Sequence, residues 1–185
     1  MFEKVSEAVC SVNVVEQYSD LTDSQLVAVS DAALDALTTR GPDLSNDRAQ
    51  LAVFAAAIRT QGRLQTFIHT RAAQLDTDEV AQRAHGTSLT TWAITTLTHT
   101  RREAATLVKA GEQLGRFPTI TNAAQAGAVS PAQADAITQV LTDLPDDLPA
   151  STLAQGEQLM LDFAATFNST ELRRLAHHLL ECLAP

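Results

Sequence analysis

The sequence has few of the residues that interrupt or cross-link a polypeptide. Among 185 residues there are seven glycines, six prolines and two cysteines, and aromatic residues make up 4%. Few glycines and prolines favour long helices, and so few aromatic side chains require helices to pack closely through alanine and leucine. Cys10 and Cys182 form no paired motif, so two free thiols are favoured over a disulfide that joins the chain ends.

Long apolar runs are also missing. No segment approaches the roughly 18 consecutive apolar residues that a membrane span needs. The first residues, Met1 to Lys4, are not followed by the apolar stretch of a signal peptide. We therefore expect no membrane association and a cytoplasmic location.

Motifs that bind cofactors or carry catalysis do not occur either. Glycine-rich phosphate-binding patterns, zinc signatures and nucleophilic triads are all missing. His178 and Cys182 are four residues apart on one predicted helix, but two ligands do not complete a metal site. We expect these residues to hold no catalytic centre, no cofactor and no small-molecule ligand.

Positive charge is scarce and unevenly distributed. The formal net charge is −9, which argues against avid binding of the whole chain to nucleic acid. Segments 1–47 and 118–170 are acidic, with nine acids against two bases in the first and six acids against none in the second. Segment 83–117 has five Arg or Lys and two Glu, a net charge of +3, and is the candidate region for contact with DNA.

Apolar residues follow a helical spacing rather than the alternation of a strand. Hydrophobic residues make up 45% of the chain, which is enough to bury a substantial core. We predict an all-α fold, a multi-helix bundle of about nine to ten helices. We expect a single domain over residues 1–185, with a peripheral N-terminal helix at 1–18.

The longest predicted helix covers residues 45–75 and has an apolar stripe with a seven-residue repeat. The stripe consists of Leu51, Phe54, Ile58, Gln61, Gln65, Ile68, Ala72 and Leu75. Such a stripe predicts the buried side of a central helix in the bundle. The alternative is a coiled coil between two copies of the chain, a homodimer through this helix.

Two short helices are predicted in the middle of the chain. Ser88 is placed to cap the first, and Thr100 with Glu103 has capping-box spacing at the start of the second. The inner side of the second helix would consist of Ala104, Leu107, Val108, Gly111 and Leu114. Two short helices joined by a three-residue turn can present a helix to the major groove of DNA, although any all-helical domain contains such pairs.

The outer side of that second helix carries the candidate nucleic-acid contacts. Arginine and lysine side chains would bind phosphates, and neutral polar side chains would contact base edges. The predicted phosphate contacts are Arg101, Arg102, Lys109 and Arg116, and the candidate base contacts are Thr106 and Gln113.

A second pair of helices follows, so that residues 85–141 form tandem helix-turn-helix-like units. Pro118 suits a first helical turn, Gly127 a helix end, and Ser130 with Pro131 a new helix start. In the last helix of this unit Ala134, Ile137 and Leu141 are predicted to face inward, and Ala132, Ala136 and Gln139 outward. The outward side has no cation, so we interpret this unit as scaffold or partner surface.

Short motifs in and after this region recur in a known family. They are His85-Gly86-Thr87-Ser88-Leu89 followed by Trp92-Ala93, Glu103-Ala104, Leu114 with Phe117-Pro118, Ala126 to Ser130 with Gln133-Ala134, and Leu172 to Ala176 followed by Leu183-Ala184-Pro185. From about Asp20 onward the chain resembles the actinobacterial domain-of-unknown-function family 222. One departure is Thr98-His99, because family members often have a glycine in this turn, so the turn must differ in conformation or length.

The resemblance implies a function beyond what the residues themselves indicate. In that family the helical domain usually precedes an HNH endonuclease domain. No HNH-type cluster is present among these residues, so the implied nuclease activity cannot reside in them. The first hypothesis is a non-catalytic N-terminal helical domain that positions a nuclease or another partner on DNA through segment 83–117. The second is a protein-interaction or oligomerisation module that binds no nucleic acid itself.

Overall fold

The computed structural model describes residues 16–41, 46–145 and 148–183, with side chains described up to residue 180. In these ranges the regular structure is helical and no strand occurs, which confirms the all-α prediction. The helices are α1 (Asp23–Arg40), α2 (Asp47–Thr77), α3 (Val80–His85), α4 (Leu89–Thr96), α5 (Arg101–Arg116), α6 (Pro118–Ala126), α7 (Pro131–Leu141), α8 (Ala150–Ala164) and α9 (Ser169–Leu183). The predicted helix at 1–18 lies almost entirely outside the described residues.

Contacts between residues divide the chain into two units, 1–51 and 52–185. In the first unit, α1 begins with a complete capping box between Thr22 and Gln25. It ends at Gly41, which has a positive φ of 68°. No residue of α1 is buried.

The core of the second unit lies between α6, α7, α8 and α9. Its largest fully buried apolar side chains are Phe117, Ile120, Ile137, Leu141, Met160 and Leu172. The helix α9 packs along α7, and α6 packs against α8. Burial of these apolar side chains is the main stabilising contribution of the unit.

The predicted outward side of α7 is partly wrong. Ala132 and Gln139 are exposed, but Ala136 is fully buried, and Thr138 beside it is buried too. The helix α9 packs along α7, and α5 and α6 also contact α7, so more of its surface is covered than the periodicity of α7 alone predicts. This helix therefore belongs to the core, in agreement with its interpretation as scaffold.

The long helix α2 is present, but its predicted buried side is wrong. Leu51, Phe54 and Ile58 are exposed, and the buried residues of α2 are Gly62 and Thr66. The helix packs instead through small residues, because these allow two backbones to approach closely. The stripe is therefore exposed from Leu51 to Ile68, whereas Ala72 and Leu75 at its end are half-buried and pack against a small cluster of Ala81, Leu89 and Val108.

Two close approaches of backbone define this packing. A Cβ atom added at Gly62 would lie 2.9 Å from Cδ of Pro131, at the start of α7. One added at Gly111 of α5 would overlap the carbonyl oxygen of His69 and lie 2.8 Å from Cβ of Ala73. The α2 helix is therefore in contact with α5 and α7 at points where a side chain has no room.

A buried carboxylate holds the start of α6. Oε2 of Glu157, on α8, accepts hydrogen bonds from the backbone N–H groups of Thr119 (3.0 Å) and Ile120 (3.1 Å). These amides have no partner inside their own helix, and a negative charge at a helix N-terminus is favoured by the helix dipole. Glu157 thus caps α6 from a different helix, and the sequence analysis did not identify this role.

We predict that Gly111→Ala destabilises the second unit by about 1–3 kcal/mol, because the added methyl group would overlap the backbone of α2. Urea unfolding followed by circular dichroism measures this change. The matched control is Gly115→Ala in the same helix, where no atom lies within 4 Å of the added Cβ. The control should be neutral or stabilising by up to about 1 kcal/mol, and equal effects at both positions would contradict the close approach.

We predict that Glu157→Gln lowers the free energy of unfolding by about 1–2 kcal/mol, since it removes the charge from two buried hydrogen bonds. Glu171 provides the control, because its carboxylate caps the start of α9 in an exposed position, 2.9 Å from the backbone nitrogen of Asn168. Glu171→Gln should cost less than about 0.5 kcal/mol. The role of Glu157 would be refuted by two equally small losses in the same urea titration.

Candidate nucleic-acid interface

The first predicted helix pair corresponds to α4 and α5, which pack against each other. Oγ of Ser88 accepts the backbone N–H of Thr91 (3.2 Å) at the start of α4. At the start of α5, Oγ1 of Thr100 accepts the N–H of Glu103 (3.3 Å), and Oε2 of Glu103 accepts the N–H of Thr100 (2.7 Å). Both predicted caps are therefore confirmed, and they set where the two helices begin.

The turn between these helices contains a residue in a conformation that favours glycine. Thr98 has a φ of +55°, in the left-handed region. A β-branched residue in this region is strained, at a cost of about 1–3 kcal/mol. The chain therefore adopts a left-handed turn here without glycine, the residue best suited to it.

The outer side of α5 exposes all four predicted phosphate contacts. Arg101, Arg102, Lys109 and Arg116 are exposed. On the opposite side Ala104, Val108, Gly111 and Leu114 are buried as predicted, and Leu107 is half-buried. The helix thus separates an apolar inner side from a basic outer side.

Three of these cations have no acidic partner among the described residues. Within the described part of the chain, no carboxylate oxygen lies within 4.0 Å of the charged nitrogens of Arg101, Arg102 or Lys109. Arg116 lies over the ring of Phe117, with its Cζ 5.9 Å from the ring centroid, a cation–π contact. The first three cations therefore remain accessible to an anion from outside the protein.

Glu103, the acid closest in sequence to Arg101 and Arg102, is committed to the helix cap. Hydrogen bonds from the backbone and then the side chain of Thr100 lower the pKa of Glu103, and the neighbouring His99 also lowers this pKa. The carboxylate is thereby held ionised at the helix N-terminus, where the helix dipole favours negative charge.

The two candidate base contacts lie beside a groove, whereas the four cations are not among the residues that line it. The Thr106 hydroxyl donates a hydrogen bond to the carbonyl oxygen of Arg102 (2.8 Å), and Gln113 is half-buried. Both line a groove of about 660 Å³, whose other walls come from α2 and from residues 127–138. A role of Thr106 and Gln113 in contacting bases remains a prediction.

Two of the ionisable groups that line this groove, one on each of two walls, interact electrostatically. His69 comes from α2 and Asp135 from α7. Burial lowers the pKa of the His69 imidazole, and the negative charge of Asp135 partly opposes this shift. The neutral form of the His69 ring is therefore favoured relative to a ring in open solvent.

The arginines of α2 are a second group of cations, which the sequence analysis did not predict to lie near the site. Residues 48–75 contain four arginines and no Asp or Glu, so this stretch is as basic as segment 83–117, and its charge count would have shown this. Arg59 lines the groove, and Nε of Arg63 donates to the carbonyl oxygen of Gln125 (2.8 Å) near the end of α6. Arg63 therefore satisfies a helix C-terminus, where a cation is favoured.

Other kinds of site find no support in residues 16–41, 46–145 and 148–183. No group of three or more His, Cys, Asp or Glu residues in these ranges is arranged to hold a metal ion. Their helices include none with the length and apolar character needed to cross a membrane.

The second unit is therefore a helical domain with a basic helix on its surface. Residues 52–185 match the family described as a domain of unknown function (DUF222), and the chain belongs to this family. The matched region begins at the residue where the second unit begins. No curated protein and no solved structure matches the chain.

We predict that the His69 ring titrates below its ordinary pKa of 6.5 and that Asp135→Asn lowers this pKa further, because a stabilising negative charge is lost. NMR titration of the imidazole resonances measures both values. Asp162→Asn, an exposed acid of α8, is the control and should leave the His69 pKa unchanged. A higher pKa in Asp135→Asn would contradict the groove geometry.

The same shift has a consequence for stability. Because the folded state has the lower pKa, the contribution of His69 to stability is present above pH 6.5 and is lost as pH falls through the folded pKa.

Proposed function

We propose that this domain contacts the phosphates of DNA through the outer side of α5 and thereby positions a nuclease or another partner on DNA. The observation that carries the proposal is the exposure of Arg101, Arg102 and Lys109 without a carboxylate partner in the described residues. Exposed cations without internal partners are free to replace the counterions of a phosphate backbone.

The spacing of the cations supports this proposal. Arg102, Lys109 and Arg116 recur every seven residues, which places them on one side of the helix at intervals of about 10 Å. A row of this kind follows the length of α5, so one rigid element can contact several phosphates at once. Contacts to the phosphate backbone fix position and orientation without reading the base sequence.

The remaining charge of the protein restricts how DNA could approach. The segment 118–170 contains six acids and no Arg or Lys, and the chain as a whole has a net charge of −9. Repulsion from these acids would disfavour binding through α7 and α8 and leave α5 as the favoured side. We expect weak binding with little sequence preference and a strong dependence on salt.

The partner in this proposal comes from the family resemblance. A helical domain that precedes an HNH endonuclease domain could hold it near the DNA backbone, with no catalytic group of its own. Such a role also agrees with the expected cytoplasmic location, because the domain must reach the compartment that contains DNA.

Binding to a fluorescent duplex of about 20 base pairs tests the proposal by anisotropy at 50 and 200 mM salt. Three phosphate contacts predict that affinity falls roughly 40-fold between these salt concentrations. The double substitution Arg102→Glu and Lys109→Glu should weaken binding at 50 mM salt at least about 10-fold, since it replaces attraction by repulsion.

The matched control is Arg173→Glu with Arg174→Glu, two exposed cations of α9, which changes the net charge equally. It should change affinity by less than about 3-fold. Absence of wild-type binding at 50 mM salt, or equal losses in the two double variants, would overturn the proposal.

A further inference from the structure

One side of α2 exposes large apolar residues. We call it the apolar face of α2, and it consists of Val53, Phe54, Leu64, Phe67 and Ile68. Their exposed fractions are 58%, 66%, 52%, 50% and 43%. At 100° per residue these side chains point away from Gly62, Thr66, His69 and Ala73, through which α2 packs on the second unit.

An exposed apolar surface of this extent is unfavourable in water. Five large side chains that are about half exposed leave on the order of 500 Å² of apolar area in one patch. Patches of that size on soluble proteins usually mark an interaction site. The apolar face of α2 is therefore a candidate surface for binding another protein.

The apolar face has no charge, and this limits the chemistry of its partner. Between Val53 and Ile68 there is no acid, and the two arginines in this stretch lie toward the second unit. Nε of Arg63 donates to the Gln125 carbonyl, and the side chain of Arg59 lies beside Gly127. An uncharged apolar helix face is therefore a better match than an acidic or a basic surface.

We propose that the apolar face of α2 binds the same face of a second copy of this chain. Along this face Val53, Ala57, Thr60, Leu64 and Phe67 are alternately four and three residues apart, which is the spacing that lets two helices interlock along a common seam. A face of this kind is complementary to itself about a two-fold axis.

The dimensions also fit a dimer of α2 helices. Residues 53–68 extend over about 23 Å, which is more than four helical turns. With the smaller residues between the apolar ones, such as Ala57, Thr60 and Gln61, the contact would approach the roughly 800 Å² per partner of a specific interface. The proposal does not depend on DNA binding, because it uses α2 and leaves the outer side of α5 untouched.

Multi-angle light scattering of the purified 185-residue chain at 1–200 µM tests the proposal. The monomer mass is 19.8 kDa, and the measured mass should rise toward twice this value as concentration increases. The double substitution Leu64→Glu and Ile68→Glu should weaken dimerisation at least about 100-fold, because it places two charges on each side of the seam.

The control is Leu159→Glu, an exposed leucine of α8 with 42% exposure, comparable to that of the substituted residues. It should dimerise as the wild type does. Circular dichroism checks that all variants keep their helices. A wild-type chain that remains monomeric at 200 µM, a mass that rises equally in the double variant, or a complex only with a different protein would overturn the proposal.

Discussion

The close approach of α2 to α5 and α7 is the constraint on which most features of this structure depend. At Gly111 the backbone of α5 lies directly against His69 and Ala73, and at Gly62 the long helix lies against Pro131. Because small residues form these contacts, α2 turns its small side inward and its large apolar residues outward. The same packing orients the basic side of α5 toward solvent and leaves the groove between α2, α5 and α7.

Polar side chains at helix ends complete this arrangement. Glu157 binds the first amides of α6, while Nε2 of Gln133 donates to the carbonyl oxygens of Ala164 (2.9 Å) and Phe167 (3.0 Å) at the end of α8. Glu103 accepts the backbone N–H of Thr100 at the start of its own helix, α5. These bonds satisfy groups at helix ends that would otherwise be left without partners.

The two surfaces proposed to bind partners differ in chemistry and lie on different helices. The outer side of α5 is polar and basic, so its binding should weaken with salt. The apolar face of α2 is uncharged, so its association should respond little to salt. A chain with an acidic average composition can therefore have one surface suited to an anionic polymer and another suited to a second copy of itself.

Local signals in the sequence were sufficient to determine the helices of this protein. The caps at Ser88, Thr100 and Ser130, and the helix end at Gly127, appear where their spacing predicted them, because a cap needs partners only three or four residues away. The basic outer side of α5 was also predictable, since helical periodicity alone separates it from the inner side.

Only the tertiary structure decided which surfaces are buried. Ala136 is buried where neighbouring helices pack around α7, and the two amides that Glu157 binds lie 37 and 38 residues earlier in the chain. The apolar stripe of α2 remained exposed from Leu51 to Ile68, because a repeat predicts that a helix has an apolar side but not which neighbour reaches it. The physical reason is that burial depends on contacts between distant segments, whereas helix formation depends on neighbours along the chain.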